Sequence, residues 1–331
     1  MKVGDNMTRL TEEDVKYRYI TPAIEKANWK NNQIMMEYSF TDGQIMVRGE
    51  TVIRGKRKKA DYLLLQTGTN KPLAIVEAKD ESHDIGYGIQ QAIDYARILD
   101  VPFAYSSNGH GFVEHDFLTG MEKEISMNEF PTEEVLWNRI ISNKHYTKAQ
   151  TNIIKEPYFF DSFTNMQPRY YQRIAIDRIV EAVALGKKRL LLVMATGTGK
   201  TFTAFQIVWR LLKSKAVKRV LYLADRNILI DQTMDEDFKP LKKVMTKIKN
   251  KELDSSYEIY MSLYQQLAGD DNEEPFREFK PEFFDLIIVD EAHRGSAKEE
   301  SQWRKILDYF YKASHTQNTI VLANRSCSSN H

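Results

Sequence analysis

Between Thr11 and Trp29 apolar residues recur at helical spacing (Val15, Tyr19, Ile20, Ile24, Ala27), behind an N-capping threonine and an acidic first turn, Glu12, Glu13 and Asp14. Two short apolar runs follow, IMMEYSF and QIMVRG, and Thr41-Asp42-Gly43 between them predicts a hairpin turn. Asp61–Gln66 and Leu73–Lys79 read as two strands joined by Thr67-Gly-Thr-Asn70. From Asp84 to Leu99 the residues Ile85, Ile89, Ala92, Ile93, Ala96 and Leu99 trace one face of a helix. Val101–Ser106 and Gly111–Phe117 predict two more strands around Asn-Gly-His-Gly. The stretch 120–167 is polar, with a short helix expected near Glu133–Ile141.

Beyond it the rhythm changes. Strands are expected at 189–194, 219–224, 257–262, 285–290 and 319–322, with helical patterns between them, which is the βαβ alternation of a parallel, doubly wound α/β sheet. The expected organisation is a disordered stretch at 1–10, a first domain at 11–150 and a linker at 151–167. A second domain at 168–322 and an unstructured tail at 323–331 complete it.

Composition modifies this picture little. A chain of 331 residues suggests about two domains, and 42% hydrophobic content supplies two cores. The net charge of +1 neither favours nor excludes nucleic acid, so local clusters must carry that argument. A single cysteine, Cys327, excludes an internal disulfide framework and fits a reducing cytosol. No stretch approaches the roughly 18 apolar residues of a membrane span, so a cytoplasmic protein with no membrane partner is expected.

Three charges fall on the small hairpin. Asp61 opens its first strand; Glu77 and Lys79 close the second and project to the same side. Their neighbours are apolar, so the group must either form an ion pair or hold a hard divalent cation such as Mg²⁺. A metal there could polarise a phosphodiester while Lys79 orients or deprotonates water. Gln91 and Tyr95 lie four apart on one helix face. Just upstream, the cations of Arg54–Lys59 form either a solvated loop or a surface for DNA phosphates. His83, His110 and His115 have no metal-ligand spacing.

The run KRKKADYLLLQ…PLAIVEAK…GIQQAIDYARIL…FAYSSNGHGFVEHDF resembles the N-terminal nuclease domain of type I restriction enzyme R (motor/endonuclease) subunits, within the PD-(D/E)xK nucleases. The resemblance implies a mixed sheet flanked by helices and Mg²⁺ ligands at Asp61 and Glu77. It also implies a catalytic Lys79, a QxxxY element at Gln91 and Tyr95, and a further metal-ligating glutamate in the first helix, for which Glu12 is the candidate beside Glu13 and Glu25.

The second domain opens on LLLVMATGTGKT, Leu190–Thr201, an apolar run passing through a small-residue turn into a helix. Backbone N–H groups of Thr196, Gly197, Thr198 and Gly199 can cradle ATP phosphates, Lys200 can reach the outer ones, and Thr201 can sit on Mg²⁺. Downstream, a buried strand ends in Asp290-Glu291-Ala292-His293, where Asp290 would hold Mg²⁺ and Glu291 the attacking water. Met194 stands where a strict P-loop has its first glycine. That variant resembles motif I of superfamily 2 helicases and translocases, with DEAH, including His293, as motif II. The same resemblance assigns Gln172 to the adenine edge, and the segments Leu221–Gln232, with Arg226, and Tyr260–Gln265 to strand contacts. The family would show TATP after Leu322; this sequence reads Ala-Asn-Arg-Ser-Cys-Ser-Ser.

The resemblance implies a nuclease plus the first RecA-like domain of a translocase, acting on double-stranded DNA with specificity and methyltransferase subunits. The alternatives are a DEAH-type ATPase with a non-catalytic DNA-binding domain, or an inactive remnant. With one wall of the ATP cleft, this chain should bind nucleotide weakly and hydrolyse it poorly. A steady-state assay showing DNA-stimulated turnover by the 331-residue chain alone would contradict this expectation.

Overall fold

The computed structural model describes residues 9–41, 45–48, 51–54, 56–161, 166–248, 256–269, 274–290, 304–311 and 318–324, with backbone alone at 45–48, 51–54, 227–229 and 324. The chain divides into two units, Met1–Thr147 and Lys148–His331. Among the described residues no helix is long and apolar enough to cross a membrane.

Unit 1 begins with helix α1, Glu12–Val15, which passes through a π-helical turn, Lys16–Ile20, into α2, Thr21–Lys26. Thr11 and Asp14 form a reciprocal capping box at its start. Ahead of it, Arg9 pairs with Asp80 and the Leu10 N–H donates to Glu81, so the expected disorder at 1–10 does not extend to these two residues; 1–8 lie outside the described residues. The strands are β1 Ile34–Thr41, β2 Ile45–Arg48, β3 Thr51–Arg54, β4 Arg57–Leu65 and β5 Pro72–Ala78. Helix α3, Ile89–Leu99, then leads to β6 Phe103–Ser107, β7 Gly111–Asp116, β8 Met121–Ser126 and helix α4, Glu133–Lys144.

Six strands form one mixed sheet in the order β1-β4-β5-β6-β7-β8. All neighbours are antiparallel except β5 and β6, a parallel pair that α3 joins as a crossover. The expected hairpin between the IMMEYSF and QIMVRG runs does not form. Instead β1 pairs with β4, while β2 pairs with β3. The reason is length: β4 starts at Arg57, and its basic end, Arg57 to Lys59, supplies the partners of Ser39, Phe40 and Thr41. Asp61 therefore lies inside a strand rather than opening one. β4 and β5 are covered on both faces, with Ala60, Tyr62, Leu64, Ala74, Ile75 and Val76 all buried. Strands buried on both faces read as unbroken apolar runs rather than alternations. β8 is exposed along most of its length, so its polar sequence carried no strand signal.

Arg139 of α4 braces the far side of the sheet. It donates to both oxygens of buried Glu114 at 3.0 and 2.7 Å and to Asp116, while the Tyr105 hydroxyl donates to Glu114 at 2.6 Å.

Unit 2 starts at Lys148, just ahead of the segment 151–167 expected to be a linker. Helix α5, Lys148–Ile154, lies against α6, Tyr170–Ala184. Arg210, 1% exposed, donates to the carbonyls of Ile154 and Glu156 and to Asp177, each at 2.7 Å. Gln206 holds both the N–H and the carbonyl of Phe159. Residues 148–161 are thus built into the unit, and a free linker of 151–167 is not what the structure shows.

The remaining elements are β9 Arg189–Met194, α7 Lys200–Lys213, β10 Val220–Ala224, α8 Asn227–Asp235, β11 Met245–Lys247, β12 Ile259–Leu263, α9 Tyr264–Ala268, β13 Leu286–Val289, helix α10 at 304–311, and β14 Asn318–Asn324. Their sheet is parallel throughout, in the order β11-β12-β10-β13-β14-β9. Val220, Tyr222, Leu286 and Ile288 face a core shared with α6 and α7. Leu221, Leu223, Ile287 and Val289 face a second core with α9 and α10. The tail expected at 323–331 begins later, because β14 continues to Asn324; Cys327 and the rest of 325–331 lie outside the described residues.

Removing the Arg139 brace leaves buried Glu114 with only the Tyr105 hydroxyl and the exposed Lys123, 3.4 Å away, as partners. Arg139→Ala should lower the stability of unit 1 by about 3–5 kcal/mol, measured by denaturant titration at neutral pH. Burial would raise the Glu114 pKa, but the Arg139 and Tyr105 hydrogen bonds outweigh it and hold it low. The resulting stability is therefore present above the ordinary glutamate range and lost as pH falls through the lowered value. The gap between wild type and Arg139→Ala should narrow under those acid conditions.

Candidate active site

Two adjacent strands place two carboxylates face to face. One step beyond the pair Tyr62↔Val76, Asp61 of β4 opposes Glu77 of β5, so both side chains leave the same face of the sheet. Asp61 is 7% exposed and Glu77 1%. The main chain holds both: the Ala78 N–H donates to Asp61 Oδ2 at 2.8 Å, and the Asp61 N–H donates to Glu77 Oε1 at 3.3 Å. From α3, the Gln91 amide donates to Glu77 Oε2 at 2.7 Å and contacts the Tyr95 hydroxyl at 3.3 Å. The helical spacing of Gln91 and Tyr95 thus serves one purpose, a donor aimed at Glu77.

Lys79 follows β5 and extends its pairing with β6, its N–H donating to the Ser107 carbonyl at 2.8 Å. Its ammonium lies 3.8 Å from Glu12 on α1, which brings the first helix to the same group. Gly88, just before α3, allows this proximity: a Cβ there would meet Ser106 Oγ at 2.9 Å and Lys79 Cε at 3.2 Å. The ion pair left open by the sequence is formed, but with a different lysine. Asp61 Oδ1 accepts from Lys16 Nζ at 3.2 Å, and Lys16 also pairs with Glu13 and with Glu37 at 2.7 Å. Sequence reasoning missed Lys16, because a lysine between Val15 and Tyr17 gives no sign that the π turn will carry it inward.

The electrostatics are those of a pocket short of positive charge. Burial, then the Asp61 carboxylate, push the Glu77 pKa up to about 8. Burial and Asp61 likewise raise Glu12. Burial would lower Lys16, yet the hydrogen bonds it donates to Glu13 and Glu37, together with Asp61, hold it firmly charged. Buried oxygen donors of like charge are the donor set that Mg²⁺ prefers, so Asp61 and Glu77 fit such an ion. Among the described residues no group of three or more metal-ligating side chains converges. The histidines make ordinary contacts, His83 with Asp80 and Tyr87, and His115 with Glu122. Of the basic run, Arg57, Lys58 and Lys59 belong to β4: Lys59 pairs with Glu37, and Lys58 lies 5.8 Å over the Tyr95 ring.

In unit 2 the turn after β9 runs through exposed Thr196 and Gly197 to Thr198, whose hydroxyl donates to the Ala195 carbonyl at 2.6 Å. Gly197 and Gly199 have φ of +74° and +79°, a left-handed conformation that admits glycine readily. Buried Lys200 and half-buried Thr201 open α7, so the helix N-terminus faces the turn. Gln172 donates to the Thr198 carbonyl at 2.9 Å and accepts from the Arg169 N–H at 2.8 Å. In this structure the Gln172 amide thus braces the phosphate loop, with both ends occupied by main chain. A Cβ on Gly199 would fall 2.5 Å from it. Asp290 ends β13, accepts from the Tyr222 hydroxyl at 2.6 Å, and lies at the same C-terminal sheet edge as the loop, with β14 between. Gln265 donates to the Asp225 carbonyl at 3.1 Å, tying the ends of β12 and β10, and Arg226 is exposed beside them. Glu291 and His293 lie outside the described residues.

A mixed sheet carrying an Asp–Glu–Lys group, followed by a RecA-like parallel sheet with a Gly-Thr-Gly-Lys-Thr turn, is the architecture of a restriction-enzyme subunit with a helicase-like domain. Residues 2–123 match the family model of the type I restriction enzyme R protein N terminus. Residues 165–322 match that of the type III restriction enzyme res subunit. The chain is 48% identical over 314 residues to the type I restriction enzyme EcoAI endonuclease subunit of Escherichia coli, covering 93% of this chain and 38% of that protein. It is 27% identical to the EcoKI endonuclease subunit of E. coli K12, over 77% of this chain and 26% of that protein. A solved HsdR fragment of a type I restriction enzyme from Vibrio vulnificus YJ016 superposes with a TM-score of 0.77 at 38% identity, over 96% of this chain and 56% of that one. The chain belongs to the type I restriction enzyme R-subunit family and corresponds to its N-terminal region. It spans well under half the length of the curated relatives it matches.

Because Glu77 titrates near 8 and a cation binds its ionised form, divalent affinity should rise with pH up to that value, about tenfold per unit in the steep region. Calorimetric Mn²⁺ titrations between pH 6 and 9 would show this slope, and Glu77→Gln should abolish it.

Proposed function

We propose that unit 1 is a Mg²⁺-dependent endonuclease that cleaves DNA phosphodiester bonds, and that unit 2 binds ATP and DNA as the first motor domain of a translocating R subunit. The observation that carries the proposal is the burial of Asp61 opposite Glu77 with Lys79 beside them, two acids with one buried ammonium, Lys16, held on Asp61, that a divalent cation would stabilise further. Asp61 and Glu77 would hold the ion, which would supply polarisation of the phosphodiester and an acidified water. Gln91 fixes the Glu77 carboxylate, and Tyr95 sits behind Gln91. Lys79, paired only at 3.8 Å, keeps donors available to orient water or steady phosphate charge. Glu12 would add a water-mediated or direct ligand from α1. The exposed cations Lys56 and Arg57 extend β4 away from the core and suit DNA phosphates.

In unit 2 the Thr196–Gly199 amides, Lys200 and Thr201 would hold the ATP phosphates and their Mg²⁺, with Asp290 completing the ion's shell and Glu291 acting on the attacking water. His293 would belong to the same motif. Gln172 would reach an adenine only by giving up its hold on Thr198. In its full-length setting we assign the chain to a cytoplasmic complex with specificity and methyltransferase subunits on double-stranded DNA.

The test is plasmid nicking by the purified chain. Wild type should nick with Mg²⁺ and not with EDTA. Asp61→Ala and Lys79→Ala should each reduce nicking by at least a hundredfold, with DNA affinity within a fewfold of wild type. Nicking that survives both substitutions, or no nicking by wild type across divalent ions, would turn the reading towards a DNA-binding module or an inactive remnant.

A further inference from the structure

Lys16 has no part in the chemistry above, yet it is 2% exposed and touches Asp61. Its ammonium meets three carboxylates: Glu13, Glu37 at 2.7 Å, and Asp61 Oδ1 at 3.2 Å. An ammonium has three N–H donors, so none is left for a phosphate or a water. Lys79 differs on every count, being partly exposed and paired only with Glu12 at 3.8 Å. One lysine is placed to act on a substrate. The other is placed to act on a ligand of the metal.

We propose that Lys16 is a resident counter-cation that limits the Asp61–Glu77 centre to a single divalent ion. This inference rests on the metal-nuclease reading of that centre. A two-ion phosphodiester site needs a carboxylate that bridges ions about 3.5–4 Å apart, one through each oxygen. Asp61 cannot do so as it stands. Its Oδ2 accepts the Ala78 N–H at 2.8 Å, and on Oδ1 the Lys16 ammonium occupies the position a second ion would take. Glu13 and Glu37 hold that ammonium from the other side, and Lys59 pairs with Glu37 behind it. Moving Lys16 aside would leave Asp61, the buried one of its three partners, without its ammonium, so the ammonium is not readily displaced.

Counting bound Mn²⁺ by electron paramagnetic resonance on the 331-residue chain at pH 8.5, without nucleotide, tests this. Wild type should bind one Mn²⁺ that is lost in Asp61→Asn. Lys16→Met should gain a second Asp61-dependent ion, or bind the first at least tenfold more tightly, whereas Lys16→Arg should keep the wild-type count and affinity. Two Asp61-dependent ions in wild type overturn the proposal, as does a folded Lys16→Met variant unchanged in both number and affinity. If Lys16→Met does not fold, the wild-type count decides alone. A wild type with no Asp61-dependent ion is a distinct result: it overturns the metal-centre reading, and this proposal with it.

Discussion

The organising constraint of unit 1 is that two carboxylates are buried directly opposite each other on strands covered on both faces. Like charges at such a position repel, and desolvation penalises each. The surrounding structure reads as a set of answers to that problem. Main-chain N–H groups of residues 61 and 78 fix one oxygen of each carboxylate, Gln91 fixes another, and Lys16 takes a fourth. The arrangement is rigid before any ligand arrives, because strands and a helix, rather than loops, carry the acids and their supports.

Unit 2 solves a different problem by backbone geometry. A parallel sheet gathers its strand ends at one edge, and residues following β9, β10, β12 and β13 meet there from distant parts of the chain. The turn after β9 has left-handed glycines and is closely packed: a Cβ at position 199 would meet the Gln172 amide, which would have to move. The same glutamine that the family resemblance assigns to nucleotide recognition is, in this structure, a brace on the loop.

Much of this was legible along the chain, and the failures have physical causes. β10, β12 and β13 are buried and short, so they stand out as apolar runs, and edge strand β9 is apolar even though Leu191 and Val193 are exposed; β8 and β11 also lie at sheet edges, and their sequences carry no such run. The turn-like Thr41-Asp42-Gly43 suggested a hairpin between neighbours in sequence, but β1 gains a longer partner in β4. The stretch 151–167 reads as a linker because it is polar, and Arg210 and Gln206 hold Ile154, Glu156 and Phe159 within it by carbonyls and an N–H group, which any sequence supplies.

Sequence alone determined the chemistry on offer: an Asp, a Glu and a Lys at the ends of apolar runs, a Gln and a Tyr one helical turn apart, and glycines before a lysine and a threonine. These are local facts, set by periodicity and by the backbone freedom of glycine. Only the tertiary structure decided that Asp61 faces Glu77, that Gln91 reaches across to it, and that the lysine on Asp61 is Lys16 rather than Lys79. Each of those depends on strand register and on the inward turn of a distant helix. A charge gives no sign in sequence of which partner burial will force upon it.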